Sequence, residues 1–340
     1  MASEKSPLTN GVHQIETFQL GPHTVPRVFG GLWQMSSPAW GTAPRSKIIK
    51  QFKKHVDAGF TAFDMADHYG DAEVVFGKFR SSQPNPESIF CATKYCIFQP
   101  IAITKEVVEA NIAQRAKRTN GVDLLQFHWQ DYNDKQYIQA LKYIEEDERV
   151  KVVGLCNFDT ERTKEIAEAG VKVVSNQVQF SLIDSRPIFA MGEVCQKYDI
   201  KLLTYGTLCG GLIADKWLGQ AAPDLYSESF TPSQRKYFEA INVWGGWDLF
   251  QELLQVLSVI GAKYKVSISN VATRWVLDFP YVGAVIVGCR MGVSDHSDEN
   301  MACFGWTLDQ GDREAIDKVL AKSKREDMFK DMGDCGAEYR

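Results

Sequence analysis

Short apolar runs of strand character recur eight times along this chain, at 28–32, 61–64, 89–94, 124–128, 150–155, 173–177, 201–205 and 282–287. Helical spacing fills the gaps between them. Ile48, Ile49, Phe52 and Val56 share one face, as do Val107, Val108, Ile112 and Ala116, then Tyr137, Ile138, Leu141 and Ile144, and later Leu249, Phe250, Leu253, Leu254 and Leu257. The first of these helices is expected to begin at a Ser46 N-cap and to stop at Gly59.

A strand that is apolar on both faces has to be covered on both, and parallel neighbours need a crossover between them. Eight strand-then-helix steps therefore predict a closed parallel (β/α)8 barrel of the TIM type. An open doubly wound sheet is the competitor. Its G-x-G-x-x-G fingerprint is missing from the first strand-to-helix turn, where Gly30-Gly31-Leu32-Trp33 leads into a Trp-rich loop.

Three additions to the barrel are expected. Runs 15–20 and 24–28, split by Gly21-Pro22-His23, read as an N-terminal β-hairpin. The long loop 214–246 after strand seven exceeds a plain connection; it holds Trp217 and Trp244, runs on to Trp247, and reads as a lid at the barrel mouth. An extra C-terminal helix spans 309 to about 322. A chain of 340 residues can be two average domains or one large barrel, and the repeat favours one barrel domain over 1–340 with its core at about 27–322.

Composition excludes several partners. At 44% hydrophobic and 24% charged residues the chain is that of an ordinary globular protein. A net charge of -5 without a long basic run argues against nucleic acid, and the lysine and arginine trios at 50, 53 and 54 and at 115, 117 and 118 read as solvated helix faces. The eight cysteines form no C-x-x-C pair, which argues against zinc and for reduced thiols. Met1–Gly11 is polar, and no run approaches the roughly 18 apolar residues of a membrane span. No membrane partner and a cytoplasmic location are expected.

In a barrel of this type the carboxyl ends of the strands share one face. Asp64, Lys94 and His128 end the second, third and fourth runs, and Tyr69 follows Asp64 by five residues, just before Gly70. A phenol titrates near ~10, and an adjacent ammonium favours the phenolate. Lys94 is the natural ammonium and Asp64 the carboxylate that would keep it charged. A neutral His128 could then donate a hydrogen bond to a substrate carbonyl. Taken singly, each residue has a plain structural use: a helix cap for Asp64, a rim ion pair for Lys94, packing for Tyr69, a bonded core imidazole for His128.

Together, Asp64-Met65-Ala66-Asp67-His68-Tyr69-Gly70, Lys94 after Ala92-Thr93, and His128-Trp129 resemble the Asp, Tyr, Lys, His tetrad of the aldo-keto reductase superfamily, over roughly 27–322. The resemblance implies Tyr69, Asp64, Lys94 and His128 as catalytic residues. It implies that Asn157, in Gly154-Leu155-Cys156-Asn157-Phe158, and Gln177 bond a nicotinamide amide, and that Tyr205 stacks on its ring. Gly206, Thr207, Leu208 and Gly210 would line the pyrophosphate loop. Gly288 and Arg290 would face the adenosine 2'-phosphate, with Glu299 and Asn300 near adenine. NADP(H) is then the cofactor, and the reaction is NADPH-dependent reduction of an aldehyde or ketone with Tyr69 as general acid. Cys156 stands where the family often has Ser, and the loop 291–298 is longer than the common version.

Trp33, Tyr95 and Trp129 are expected as flat apolar walls of a pocket for a small carbonyl compound or a sugar. Three other readings stay open. An NAD(P)-dependent aldose dehydrogenase would run the same chemistry in reverse, and a cofactor-sensing regulatory subunit would keep the tetrad without turnover. A metal-dependent barrel hydrolase would use Asp64, Asp67, His68 and His128 as ligands, leaving Lys94 and Tyr69 unexplained; no metal is expected.

Overall fold

The computed structural model of the chain describes residues 14–227 and 230–340, so the polar stretch Met1–Gly11 lies outside the described residues. Two short strands come first, β1 (Thr17–Leu20) and β2 (His23–Pro26), paired antiparallel. Eight more follow: β3 (Val28–Gly31), β4 (Ala62–Asp64), β5 (Phe90–Ile97), β6 (Val122–Trp129), β7 (Val150–Cys156), β8 (Val173–Gln179), β9 (Lys201–Tyr205) and β10 (Val282–Gly288). These eight close into a parallel barrel in chain order, with β10 pairing β3. The expected (β/α)8 barrel and its hairpin are present.

The hairpin plugs the amino-terminal end of the barrel. Leu20 and Val25 pack into one apolar cluster with Phe29, Ala62, Phe90, Ala92, Leu124, Leu203, Ala284 and Ile286 from the strands. Phe18 lies so close to Gly283 that a Cβ there would come within 2.3 Å of its ring, so the seat exists only because residue 283 has no side chain. The larger cluster lies between the strands and the surrounding helices.

Some boundaries moved. The first barrel helix runs Arg45–Asp57 behind Pro44, so Ser46 lies inside it and does not cap it. Pro44 fits that place because its fixed φ suits the helix start. Strands β5 and β6 continue past Lys94 to Ile97 and past His128 to Trp129, so neither ionisable residue ends its strand. Alternation along a strand then sends Lys94 and His128 to one face and Tyr95 and Trp129 to the other. The lid segment holds a helix at Pro232–Trp244 capped by Thr231 and Gln234, but Trp217, Trp244 and the adjoining Trp247 do not line the barrel mouth. Trp244 is fully buried, while Trp217 and Trp247 meet edge to face 6.0 Å apart.

The C-terminal helix spans Gln310–Leu320 with Asp309 as N-cap, and a second helix, Arg325–Met332, follows. Beyond it residues 334–340 turn back over the carboxyl end of the barrel. No helix among the described residues is long and apolar enough to cross a membrane.

Candidate active site

Asp64 is the hub. Its Oδ1 accepts from Lys94 Nζ at 2.5 Å, and its Oδ2 accepts from both Gln126 Nε2 and Gln177 Nε2 at 2.7 Å. Lys94 Nζ also donates to the Met65 carbonyl at 3.0 Å. All of these groups are buried, which a lysine tolerates only with its charge matched. Burial works against the Lys94 ammonium, but Asp64 foremost, with Tyr69 and Cys156, outweighs it and carries the pKa above the lysine range.

Tyr69 sits in the turn between β4 and the helix Ala72–Ser81, and its ring centroid is 5.0 Å from Lys94 Nζ. Burial raises the phenol, Lys94 opposes, and burial wins: the group lies above the usual tyrosine range rather than below it. The expected lowering by Lys94 exists as a contribution and not as the outcome. Tyr69 is held protonated, beside a cation able to stabilise its phenolate.

The His128 expectation also changes. Its Nδ1 lies 3.0 Å from the Cys156 carbonyl oxygen, which only accepts, so Nδ1 carries the proton. Burial pushes the ring down to about 4, against the Cys156 bond and assisted by Arg340, His68 and Lys94. A neutral ring with its proton on Nδ1 keeps a lone pair on Nε2. In this tautomer Nε2 accepts a hydrogen bond and does not donate one to a carbonyl.

These groups line the inner part of a cleft of about 840 Å3 at the carboxyl end of the barrel. The same cleft brings together Asn157, Gln177, Tyr205, Gly206, Thr207, Leu208, Gly210, Gly288, Arg290, Glu299 and Asn300 with Trp33. Asn157 has φ 58°, a left-handed conformation that asparagine tolerates better than most residues. Its Oδ1 accepts from the Tyr205 hydroxyl at 3.0 Å, which leaves Nδ2 as donor. Gly206, at φ +74°, abuts the Tyr237 hydroxyl, and a Cβ there would come within 2.4 Å of it. In the same cleft the Arg290 guanidinium engages only Ser294 Oγ, at 3.3 Å, among the described residues, leaving its terminal nitrogens for an anion. An amide donor, an amide acceptor, an aromatic face and a guanidinium with its terminal nitrogens unengaged among the described residues, all along one cleft, fit a nicotinamide dinucleotide.

Tyr95 and Trp129 are not in the pocket. Tyr95 lies between the barrel and the helix Lys105–Thr119, its hydroxyl accepting from Asn111 at 3.2 Å and its ring 5.2 Å from the Arg115 guanidinium. Trp129 donates to the Asp131 and Asp134 carbonyls and packs on Phe127. The walls they were expected to form come instead from Trp40, Phe98, His68 and Tyr339. Trp33 and Trp40 meet 4.8 Å apart, and Phe98 lies 5.6 Å from the His128 ring.

Tyr339 had no counterpart in the sequence reading. Its hydroxyl is 3.1 Å from that of Tyr205 and its ring stands edge-on to His128 at 5.7 Å. The flanking residues clamp it: Glu338 pairs with buried Arg186 at 2.9 Å, and Arg340 donates to the Asn157 carbonyl at 2.5 Å while covering the Tyr132 ring at 4.1 Å. The hydrolase ligand set is not assembled, since Asp64 is committed to Lys94 and two amides. Asp67, His68 and Cys96 do gather, with ligand atoms within 4.8 Å, but Asp67 is ion-paired with Arg115.

An eight-stranded parallel barrel with its cleft at the carboxyl end of the strands is the architecture of barrel enzymes. Residues 27–321 match the profile of the Aldo/keto reductase family, and the chain belongs to that family. The Bacillus subtilis (strain 168) protein named Aldo-keto reductase YhdN is 23% identical over 312 residues, 86% of this chain and 89% of its own length. Flagellar radial spoke protein 5 of Chlamydomonas reinhardtii is 30% identical over 186 residues, which cover 47% of this chain and 35% of that protein. Among solved structures, the glycerol dehydrogenase AKR11B4 from Gluconobacter oxydans superposes with a TM-score of 0.74 at 20% identity, covering 92% of this chain and 96% of that one. The protein is thus an aldo-keto reductase family oxidoreductase with a small-molecule substrate.

Proposed function

We propose that this chain is an NADPH-dependent carbonyl reductase in which Tyr69 is the general acid. The observation that carries this reading is the continuous contact from the Tyr69 ring to Lys94 and from Lys94 to Asp64, in a cleft that also holds Arg290, whose terminal nitrogens have no partner among the described residues. A bound reduced nicotinamide supplies the hydride that the carbonyl carbon takes up. The protein supplies the proton. Tyr69 gives its hydroxyl hydrogen to the carbonyl oxygen, an alcohol results, and the phenolate left behind faces the Lys94 ammonium.

Asp64 keeps Lys94 charged and in place. Asn157 Nδ2 and Gln177 Oε1 offer one donor and one acceptor to a carboxamide, Tyr205 offers its ring, and Arg290 offers a charged fork to a 2'-phosphate. His128, with its Nε2 lone pair, accepts from the hydroxyl of the alcohol and so orients product, or substrate in the reverse direction. Trp33, Trp40, Phe98 and Tyr339 provide aromatic walls and exclude water. Oxidation of a polyol or aldose is the reverse of the same step, and the glycerol dehydrogenase with this fold gives that direction a precedent in name. The eight unpaired cysteines support a reducing, cytoplasmic setting.

The test is a spectrophotometric assay of NADPH and NADH consumption over a panel of aldehydes, ketones and aldoses, with NADP+ and polyols for the reverse. NADPH-dependent turnover of carbonyl compounds is the expected result. Tight NADPH binding without turnover of any compound would replace the enzyme reading with a cofactor sensor.

A further inference from the structure

We infer that Gln126 is a positioning residue that sets which face of the Gln177 amide meets the cofactor; the inference rests on the reading of the cleft as a nicotinamide site. Gln126 is fully buried behind the cleft and does not line it. Neither composition nor the resemblance singled it out.

The argument begins at Asp64. Paired with the Lys94 ammonium, its carboxylate only accepts, so both amides that reach Oδ2 must present nitrogen. With Gln126 Nε2 turned to Asp64, its Oε1 is left on the opposite side, where it accepts the second N–H of Gln177 at 2.7 Å. Both N–H groups of Gln177 are then spent inside the barrel. Its Oε1 has no partner among the described residues, and Gln177 lines the cleft. A glutamine with only one of these bonds could rotate to offer nitrogen to the cleft; with both, it offers oxygen.

An oxygen at that point accepts a carboxamide N–H, and Asn157 Nδ2 supplies the complementary donor for the carboxamide oxygen. The surroundings make room for this arrangement. Gly154 faces Gln126 from β7, where a Cβ would come within 3.4 Å of the Gln126 side chain and 2.6 Å of Ser175 Oγ. The carboxamide acceptor and the proton-handling residues are thereby tied through one carboxylate, Asp64.

The test compares the binding of NADP+ with that of its 3-acetylpyridine analogue, in which a methyl group replaces the carboxamide NH2, by quenching of protein tryptophan fluorescence. Wild type is expected to favour NADP+ by roughly fivefold, the worth of one neutral hydrogen bond. Gln126→Leu, shown folded by a single thermal transition, is expected to bring the ratio below about twofold. Gln126→Glu separates positioning from space filling. Its carboxyl, while protonated, can donate to Asp64 and accept from Gln177 as the amide does, so preference for NADP+ is retained at low pH. It disappears as the pH rises and two carboxylates are forced together. A folded Gln126→Leu that discriminates as wild type does, or a Gln126→Glu without that pH step, overturns the inference. A wild-type protein that binds neither dinucleotide instead defeats the cofactor reading itself.

Discussion

The hydroxyl groups of Tyr205 and Tyr339 lie 3.1 Å apart although 134 positions separate them in the chain. One belongs to the proposed nicotinamide platform and the other to a segment pinned from outside by Arg186 and Glu338. Weakening that pin loosens a wall of the pocket and leaves the proton-handling groups intact. Glu338→Gln is therefore expected to raise KM for the carbonyl substrate several-fold, with kcat changed by less than about twofold. Steady-state kinetics check this; Arg186 keeps its 2.8 Å pairing with Asp184, so the fold should survive.

Removing the Tyr69 hydroxyl removes the proposed acid and nothing else. Tyr69→Phe should lower kcat by roughly 10²–10⁴-fold while leaving the Kd for NADPH within about twofold of wild type. Single-turnover measurements combined with a fluorescence titration distinguish the two quantities. Full turnover in this variant would mean that another group supplies the proton.

Arg290→Met tests the charged end of the cleft. Loss of a charge-assisted contact to the 2'-phosphate should weaken NADPH by roughly 10- to 100-fold and NADH hardly at all. Titrations with both dinucleotides decide it, since equal losses would remove the phosphate assignment.

His128 makes stability sensitive to acid in a predictable sense. Its pKa is about 4 in the folded protein, against about 6.5 for an unfolded histidine. Between those values the unfolded chain binds the extra proton, so stability falls as the pH drops from about 6.5 toward 4 and levels off below that. The loss from pH 7 to pH 5 should be about 2 kcal/mol. His128→Asn should show a smaller loss over the same range; urea denaturation of both proteins at the two pH values measures the difference.

Much of this was legible in the sequence, because a barrel gathers the carboxyl-terminal parts of its strands on one rim and ionisable groups stand in those parts of three successive strands. Asp64, Lys94 and His128 could be read in that way, and Tyr69 by its distance from Asp64. The errors at Tyr95 and Trp129 came from reading β5 and β6 as ending at the charged residue. Both strands run on, and strict alternation would have sent Tyr95 and Trp129 outward once Lys94 and His128 pointed in. The same alternation would have placed Gln126 beside His128 on the inner face. Nothing local marks Tyr339: it follows a short helix and a glycine-bounded turn, and its partner Tyr205, like the Arg186 and Asn157 that hold its neighbours Glu338 and Arg340, is brought to it only by the tertiary fold.

The hairpin of β1 and β2 fixes the direction of traffic. With Phe18, Leu20 and Val25 stoppering the far end, the barrel is a cul-de-sac. Whatever arrives at Tyr69 through this cleft departs past the same Trp33, Phe98 and Tyr339, so under the proposed reaction an alcohol product and the next carbonyl compound would compete for one doorway.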